Sequence, residues 1–144
     1  MITHRDLRML NLARQMSYMS DFPRVHVGCC VTLKNAVLSV GYNSKKSNPL
    51  QQRLNVYRHF KHPERSEGKE HAEISALSKM PWYVYENNFD LKKATIYVYR
   101  EYRETHTYAL SKPCPACMYA IKNIFKIGRI VFTIKDGIKE MKLV

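Results

Sequence analysis

The chain has 144 residues, 45% of them hydrophobic and 25% charged, enough for one ordinary domain over 1–144 whose core needs no disulfide or metal staple. No run of about 18 apolar residues occurs and the start, Met1-Ile2-Thr3-His4-Arg5-Asp6, is mostly polar and charged where a signal peptide would place an apolar run, which excludes a membrane-spanning helix and argues for a cytoplasmic protein without a membrane partner. The formal charge of +12 and pI near 9.7 point to an anionic partner, either nucleotide phosphates or a nucleic-acid backbone, although a basic solvated surface is the plain alternative.

Thr3 with Asp6 three residues later can cap a helix. Leu7, Leu10, Ala13 or Arg14, Met16 and Met19 then follow as one apolar stripe that packs on a sheet, and Pro23 marks the end. Residues 25–33 and 36–41 are β-branched and apolar runs joined by Lys34-Asn35, a hairpin signal. Cys29 and Cys30 are neighbours in the first run, so they face opposite ways, and they read as small buried side chains more than as a redox or second metal pair. Gly41-Tyr42-Asn43 follows; a glycine there lets backbone approach a ligand, and the Asn43 amide can donate and accept, or it is an ordinary turn residue.

Residues 44–69 carry Lys45, Lys46, Arg53, Arg58, Lys61, Arg65 and Lys69 against only Glu64 and Glu67. The spacing predicts mostly loop with a short helix around 50–60. A connection of more than about 12 to 15 residues is usually functional or disordered, so this one is expected over a pocket mouth. Lys45, Lys46, Arg53 and Arg58 are the candidate phosphate contacts.

Residues 70–80 read as a helix burying Ile74, Ala76 and Leu77 and stopped by Pro81. Residues 94–100 alternate as a strand. Residues 101–112 form a second pocket-side loop, in which Tyr102, His106 and Tyr108 either stack on a base or cap the core. A helix over 114–126 closes at Gly128, and 129–134 is the next strand. Lys135-Asp136-Gly137 is a further hairpin signal. A parallel strand would need a crossover of about a dozen residues, so a fifth strand here is antiparallel.

Two segments carry chemistry. His71-Ala72-Glu73 and Pro113-Cys114-Pro115-Ala116-Cys117 supply one imidazole, two thiols and a carboxylate. His71, Cys114 and Cys117 are three ligands for Zn2+, and no fourth Cys or His is evident nearby, so one position stays open to water. Zinc lowers the pKa of such a water toward about 7, which indicates a hydrolase. Cys114 and Cys117, three apart at a helix start, present both sulfurs on one face where backbone N–H groups favour thiolates. Glu73, two residues past His71, lies beside that ligand without sharing its direction and reads as a proton shuttle.

The pattern His-x-Glu followed by Pro-Cys-x-x-Cys resembles the zinc-dependent cytidine and deoxycytidylate deaminase superfamily, most nearly its deoxycytidylate type. The resemblance implies a three-layer α-β-α fold with a four- to five-stranded mixed sheet, and a homo-oligomer. It implies that Glu73 takes a proton from zinc-bound water, passes it to the ring N3, and protonates the departing amine after attack at C4. It further implies that Asn43 contacts the sugar and that the Ala72 backbone and the carbonyls around Ser111 to Pro113 orient the base. His59 and His62 have the spacing of the second, structural zinc that some deoxycytidylate deaminases carry, although exposed loop histidines are the default.

The expected reaction is hydrolytic deamination of a cytosine nucleotide, deoxycytidylate first, to the uracil nucleotide and ammonia. The alternative is a single-stranded DNA or RNA substrate, including tRNA. A zinc protein without activity would have no use for Glu73. An antiparallel fifth strand departs from the deoxycytidylate type, in which it is parallel. Pro115-Ala116-Cys117-Met118-Tyr119 in turn departs from the Pro-Cys-Gly-x-Cys-Arg-Gln of nucleoside deaminases.

Overall fold

The computed structural model describes residues 1–58 and 69–143. Helix α1 (His4–Ser17) starts at a complete capping box: Thr3 Oγ1 accepts from the Asp6 amide at 3.2 Å and Asp6 Oδ2 accepts from the Thr3 amide at 2.9 Å. Its buried stripe is narrower than the sequence suggests. Leu10, Ala13 and Ser17 are inside, whereas Leu7 is exposed and Met19 lies beyond the helix end, in solvent. The helix lies so close to the sheet that a Cβ on Gly28 would stand 1.8 Å from the Ala13 carbonyl oxygen.

Strands β1 (Val27–Leu33) and β2 (Ala36–Tyr42) form the expected antiparallel hairpin, turning at Lys34, whose φ is +55°. Helix α2 (Pro49–Leu54) continues as a 3-10 turn (Asn55–Arg58), followed after the undescribed stretch by α3 (Ala72–Ser78). Helix α3 is shorter than expected, because residue 71 is its N-cap. A further short helix, α4 (Trp82–Glu86), was not indicated by the sequence: Trp82, Tyr83 and Tyr85 stay largely exposed and only Val84 is buried, so no apolar period marks it.

Strand β3 (Ala94–Tyr102) pairs with β1 antiparallel on one side and with β5 (Arg129–Ile134) in parallel on the other. The parallel pairing follows from the crossover between them, α5 (Pro115–Tyr119) and a π turn over Ala120–Ile124, where the Phe125 amide bonds back to Ala120 O at 2.9 Å. Strand β6 (Gly137–Lys142) returns antiparallel to β5, as the hairpin signal requires, with Gly137 at φ +153°.

The path is β2-β1-β3-β5-β6, the expected five strands, and a two-residue β4 (Thr107–Tyr108) pairing with the end of β3 makes a sixth. Helix α1 covers one face over Cys30, Tyr97, Tyr99 and Val131. Helices α3 and α5 cover the other over Cys29, Val31, Ile96, Val98, Ile130 and Phe132. The two adjacent cysteines are thus divided between the cores, and burial pushes both thiols up, Cys30 to about 12. No helix among the described residues is long and apolar enough to cross a membrane.

Candidate active site

The site lies where α3 and α5 begin. Helix α3 reaches its place because β2 ends in glycine: a Cβ on Gly41 would stand 2.5 Å from the Ala76 amide nitrogen and 2.6 Å from the Ala72 carbonyl oxygen. Gly41 therefore admits a helix, not the ligand that its position at a strand end suggested. The residue before α3, His71, is held from behind. Its amide donates to Oε1 of the fully buried Gln51 at 3.1 Å, and Gln51 Nε2 donates to Asn55 Oδ1 at 3.0 Å. Asn48 caps α2 and donates to Glu70 Oε2 at 2.7 Å. A short helix on the neighbouring segment so braces the chain on both sides of the Glu70–His71 peptide.

Cys114 is the N-cap of α5 and Cys117 lies one turn on, with Pro115 at the first helical position, where its missing N–H is harmless. Both sulfurs approach His71 Nδ1, at 3.5 Å for Cys114 and 3.4 Å for Cys117, and all three donor atoms lie within 4.8 Å of one another. Two ligands at zinc bond lengths of about 2.1 and 2.3 Å stand about 3.6 Å apart across a tetrahedral angle. The donor set therefore fits Zn2+, and it is the only group of His, Cys and acidic side chains among the described residues that converges in this way.

The two thiols are driven in opposite directions. The hydrogen bond with Cys117 brings Cys114 down to about 4, with His71 contributing and burial opposing, whereas burial pushes Cys117 up. Such a pair releases its second proton when a cation takes the proton's place. Glu73 is 5% exposed, and burial raises its carboxyl, with His71 opposing and the Cys114 charge adding to the rise.

These groups open onto a cavity of about 200 Å3 walled by His71, Ala72, Glu73, Cys114, Asn43 and Ser111, so six of the sequence-derived positions meet in one place, with Cys117 behind them. Asn43 is partly occupied: Oδ1 accepts from the Val27 amide at 2.9 Å and Nδ2 donates to Val25 O at 2.8 Å, which leaves one N–H and one lone pair. The Ser111 hydroxyl is engaged with Val98 O and the Thr133 amide, both at 2.8 Å. A larger hollow of about 680 Å3 on the α1 face holds no such ligand group.

The candidate phosphate contacts fall elsewhere. Lys45, Lys46 and Arg53 are exposed and Arg58 sits in the 3-10 turn, and none of the four lines the cavity. His59 and His62, with Lys61 and Arg65, lie outside the described residues. Among the described residues, the Lys and Arg side chains in the cavity wall are Arg100 and Lys112. A period-2 reading of β3 carried one step past Ile96 and Val98 would have found Arg100, since it is the next position on that face. The aromatic loop divides likewise. Tyr108 packs edge-on to Tyr99 at 5.8 Å on the α1 face, His106, although exposed, meets Glu101 at 3.3 Å, and Tyr102 is exposed.

The solved structures similar to this chain include cytidine deaminase from Burkholderia pseudomallei, at a TM-score of 0.61 and 18% identity over 98% of this chain and 93% of that one. They also include the apo dCMP deaminase of cyanophage S-TIM5, at 0.59 and 17% over 92% and 84%. At such identities the likeness is one of fold. No curated protein matches the sequence. The family model described as the cytidine and deoxycytidylate deaminase zinc-binding region matches residues 3–134. That span takes in both halves of the metal-binding pattern and nearly the whole sheet, and the chain accordingly belongs to the cytidine and deoxycytidylate deaminase family, as a zinc-dependent hydrolytic deaminase.

Proposed function

We propose that the chain deaminates a cytosine mononucleotide, deoxycytidylate, to deoxyuridylate and ammonia. The observation that carries this reading is a buried carboxyl, Glu73, beside His71, Cys114 and Cys117 at the floor of a cavity with Arg100 and Lys112 in its wall. His71, Cys114 and Cys117 would hold the zinc, which when bound supplies a water that ionises near neutral pH.

The chain's own residues do the rest. Glu73 takes up a proton given up by the attacking water and hands it to ring N3 as the water oxygen bonds to C4; it then takes the proton of the new C4 hydroxyl and delivers it to the amine, so that the C–N bond breaks, ammonia leaves and C4 becomes a carbonyl. The Ala72 N–H, first in its helix and without an intrahelical partner, and the carbonyls around Ser111 orient the base edge. Asn43 keeps one donor and one acceptor for the sugar.

Two measurements test this. Ammonia release by the zinc-loaded protein should be fastest with deoxycytidylate when compared with cytidine, cytidylate, adenosine nucleotides and a cytosine oligonucleotide. Cys114→Ala should lose zinc and activity together, and unchanged zinc content in that variant would remove the ligand assignment. A polynucleotide substrate is the second reading. It is favoured by the net charge and by Arg24, Arg103 and the exposed Tyr102 in a hollow that shares Arg100 with the catalytic cavity. Release of ammonia from the oligonucleotide alone would select it.

A further inference from the structure

Alternation along β3 sends Tyr97 and Tyr99 into the α1 core and Ile96 and Val98 into the opposite one. Arg100 is thus aimed at the catalytic side of the sheet. The one hydrogen bond of its side chain among the described residues is a long one, Nη1 to Leu110 O at 3.5 Å, and it forms no ion pair among them.

Arg100 lines two hollows at once. One is the catalytic cavity of about 200 Å3; the other, about 670 Å3, runs between Pro23 and Arg24 on one side and Tyr102 and Arg103 on the other, with Glu101 and Glu104 also in its wall. The acid nearest in sequence does not neutralise it. Glu101 faces α1, where it accepts from the Tyr18 and Tyr99 hydroxyls at 2.6 and 2.7 Å and lies 3.4 Å from Arg14.

Size then decides how a nucleotide sits. Pockets that enclose a drug-sized ligand measure about 300–1,000 Å3, so the catalytic cavity takes the base, and the sugar and phosphate extend beyond it, past a wall that includes Arg100 and Lys112.

We propose that Arg100, with Arg24 and Lys112, binds the phosphate of the substrate nucleotide. The recognition site is then the junction of the segment after α1 with the β3–β4 hairpin, and not Lys45, Lys46, Arg53 or Arg58, which do not line the cavity. This rests on the nucleotide reading above. A guanidinium offers two parallel N–H donors to a phosphate, which an ammonium cannot, so Arg100 carries most of the discrimination.

The test uses the full-length zinc-loaded protein and two product-side probes that need no turnover, deoxyuridylate and deoxyuridine, with calorimetric binding. The wild type should prefer deoxyuridylate. Arg100→Ala should weaken deoxyuridylate about 10- to 100-fold, the range for hydrogen bonds to a charged group, and leave deoxyuridine unchanged. Arg100→Lys should recover part of the loss, and Arg24→Ala, at an exposed position, should show a smaller loss of the same kind; these two decide the matter if Arg100→Ala does not fold.

Equal weakening of both probes, absence of any preference in the wild type, or a loss of preference at Lys45→Ala or Lys46→Ala with none at Arg100 would each overturn the proposal. Failure to deaminate deoxycytidylate would instead refute the function, while deoxyuridylate binding still judges the phosphate site.

Discussion

The two faces of the sheet handle buried polar groups in opposite ways. On the α1 face, Asp6 is 4% exposed and fully engaged: Arg129 donates to its two oxygens at 2.9 and 2.8 Å and the Tyr97 hydroxyl donates at 2.6 Å. Glu101 is enclosed in the same manner by Tyr18, Tyr99 and Arg14. On the α3 face, Glu73 has no ion pair with Lys or Arg among the described residues, the Ser75 hydroxyl has no partner, and two sulfurs converge on one imidazole nitrogen. The first arrangement neutralises charge and fixes position. The second keeps charge and hydrogen-bonding capacity for something that is not part of the chain, at some expense in stability. One face should therefore answer substitution in stability and the other in chemistry.

The sharpest break between them is Glu73→Gln. Turnover should fall by about 10²- to 10⁴-fold, the usual contribution of a general acid–base group, with zinc content retained. The melting temperature should not fall, because an amide in that buried place has no charge to desolvate. A clear drop in melting temperature with residual turnover would make Glu73 a structural group and dissolve the contrast.

Asp6→Ala should do the reverse. Removing one partner of a buried ion pair typically destabilises by about 3 kcal/mol or more, since the other charge is left behind; here Glu140, also bonded to Arg129, softens the loss. Denaturant unfolding should show it, and kcat on the preferred substrate should stay at the wild-type value once the protein is saturated with zinc. The pH dependence has a definite sign. Arg129 and Tyr97 hold the Asp6 carboxyl well below the usual carboxylate range, against burial, so the unfolded chain takes up a proton that the folded one refuses. The stability from this group is complete above the ordinary carboxylate pKa of about 3.9 and drains away as pH falls below it. Wild type and Asp6→Ala should differ most near neutrality and converge in acid. A constant gap down to pH 2 would show that packing, not charge, is what Asp6 supplies.

The same contrast explains what was legible in the sequence. Local signals were read well: the Thr3 and Asp6 cap, the Lys34-Asn35 turn and the antiparallel last strand, because each is set by neighbours within a few residues, while the convergence of His71, Cys114 and Cys117 was legible from the spacing inside two short motifs. The small-residue device was misread at Gly41, since only the packed helix shows whether a missing Cβ admits ligand or backbone. The basic run at 44–69 stands out by density, and Lys45, Lys46, Arg53 and Arg58 within it do not line the cavity. Lone cations at the end of a strand do not stand out in composition, yet alternation on β3 puts Arg100 beside the cavity. Helix α4 left no trace, because its aromatic residues face solvent on several sides.

The smallest expected effect is also the one that most directly compares the faces, because it reverses sign. Ser75 lies in α3, 1% exposed, with its hydroxyl unpartnered. Leaving a buried hydroxyl unsatisfied costs about 1–3 kcal/mol when it first arises by mutation, and a site adapted to it retains part of that penalty. Ser75→Ala removes the oxygen, keeps the Cβ, and favours the helix. It should therefore raise stability, by up to about 1 kcal/mol, whereas loss of a polar group on the α1 face lowers it. Activity decides what the unpartnered oxygen is for. Unchanged turnover in a more stable Ser75→Ala protein marks it as tolerated frustration beside the site, while a fall in kcat/KM with the gain in stability assigns the hydroxyl to the ligand-facing group that distinguishes the α3 face.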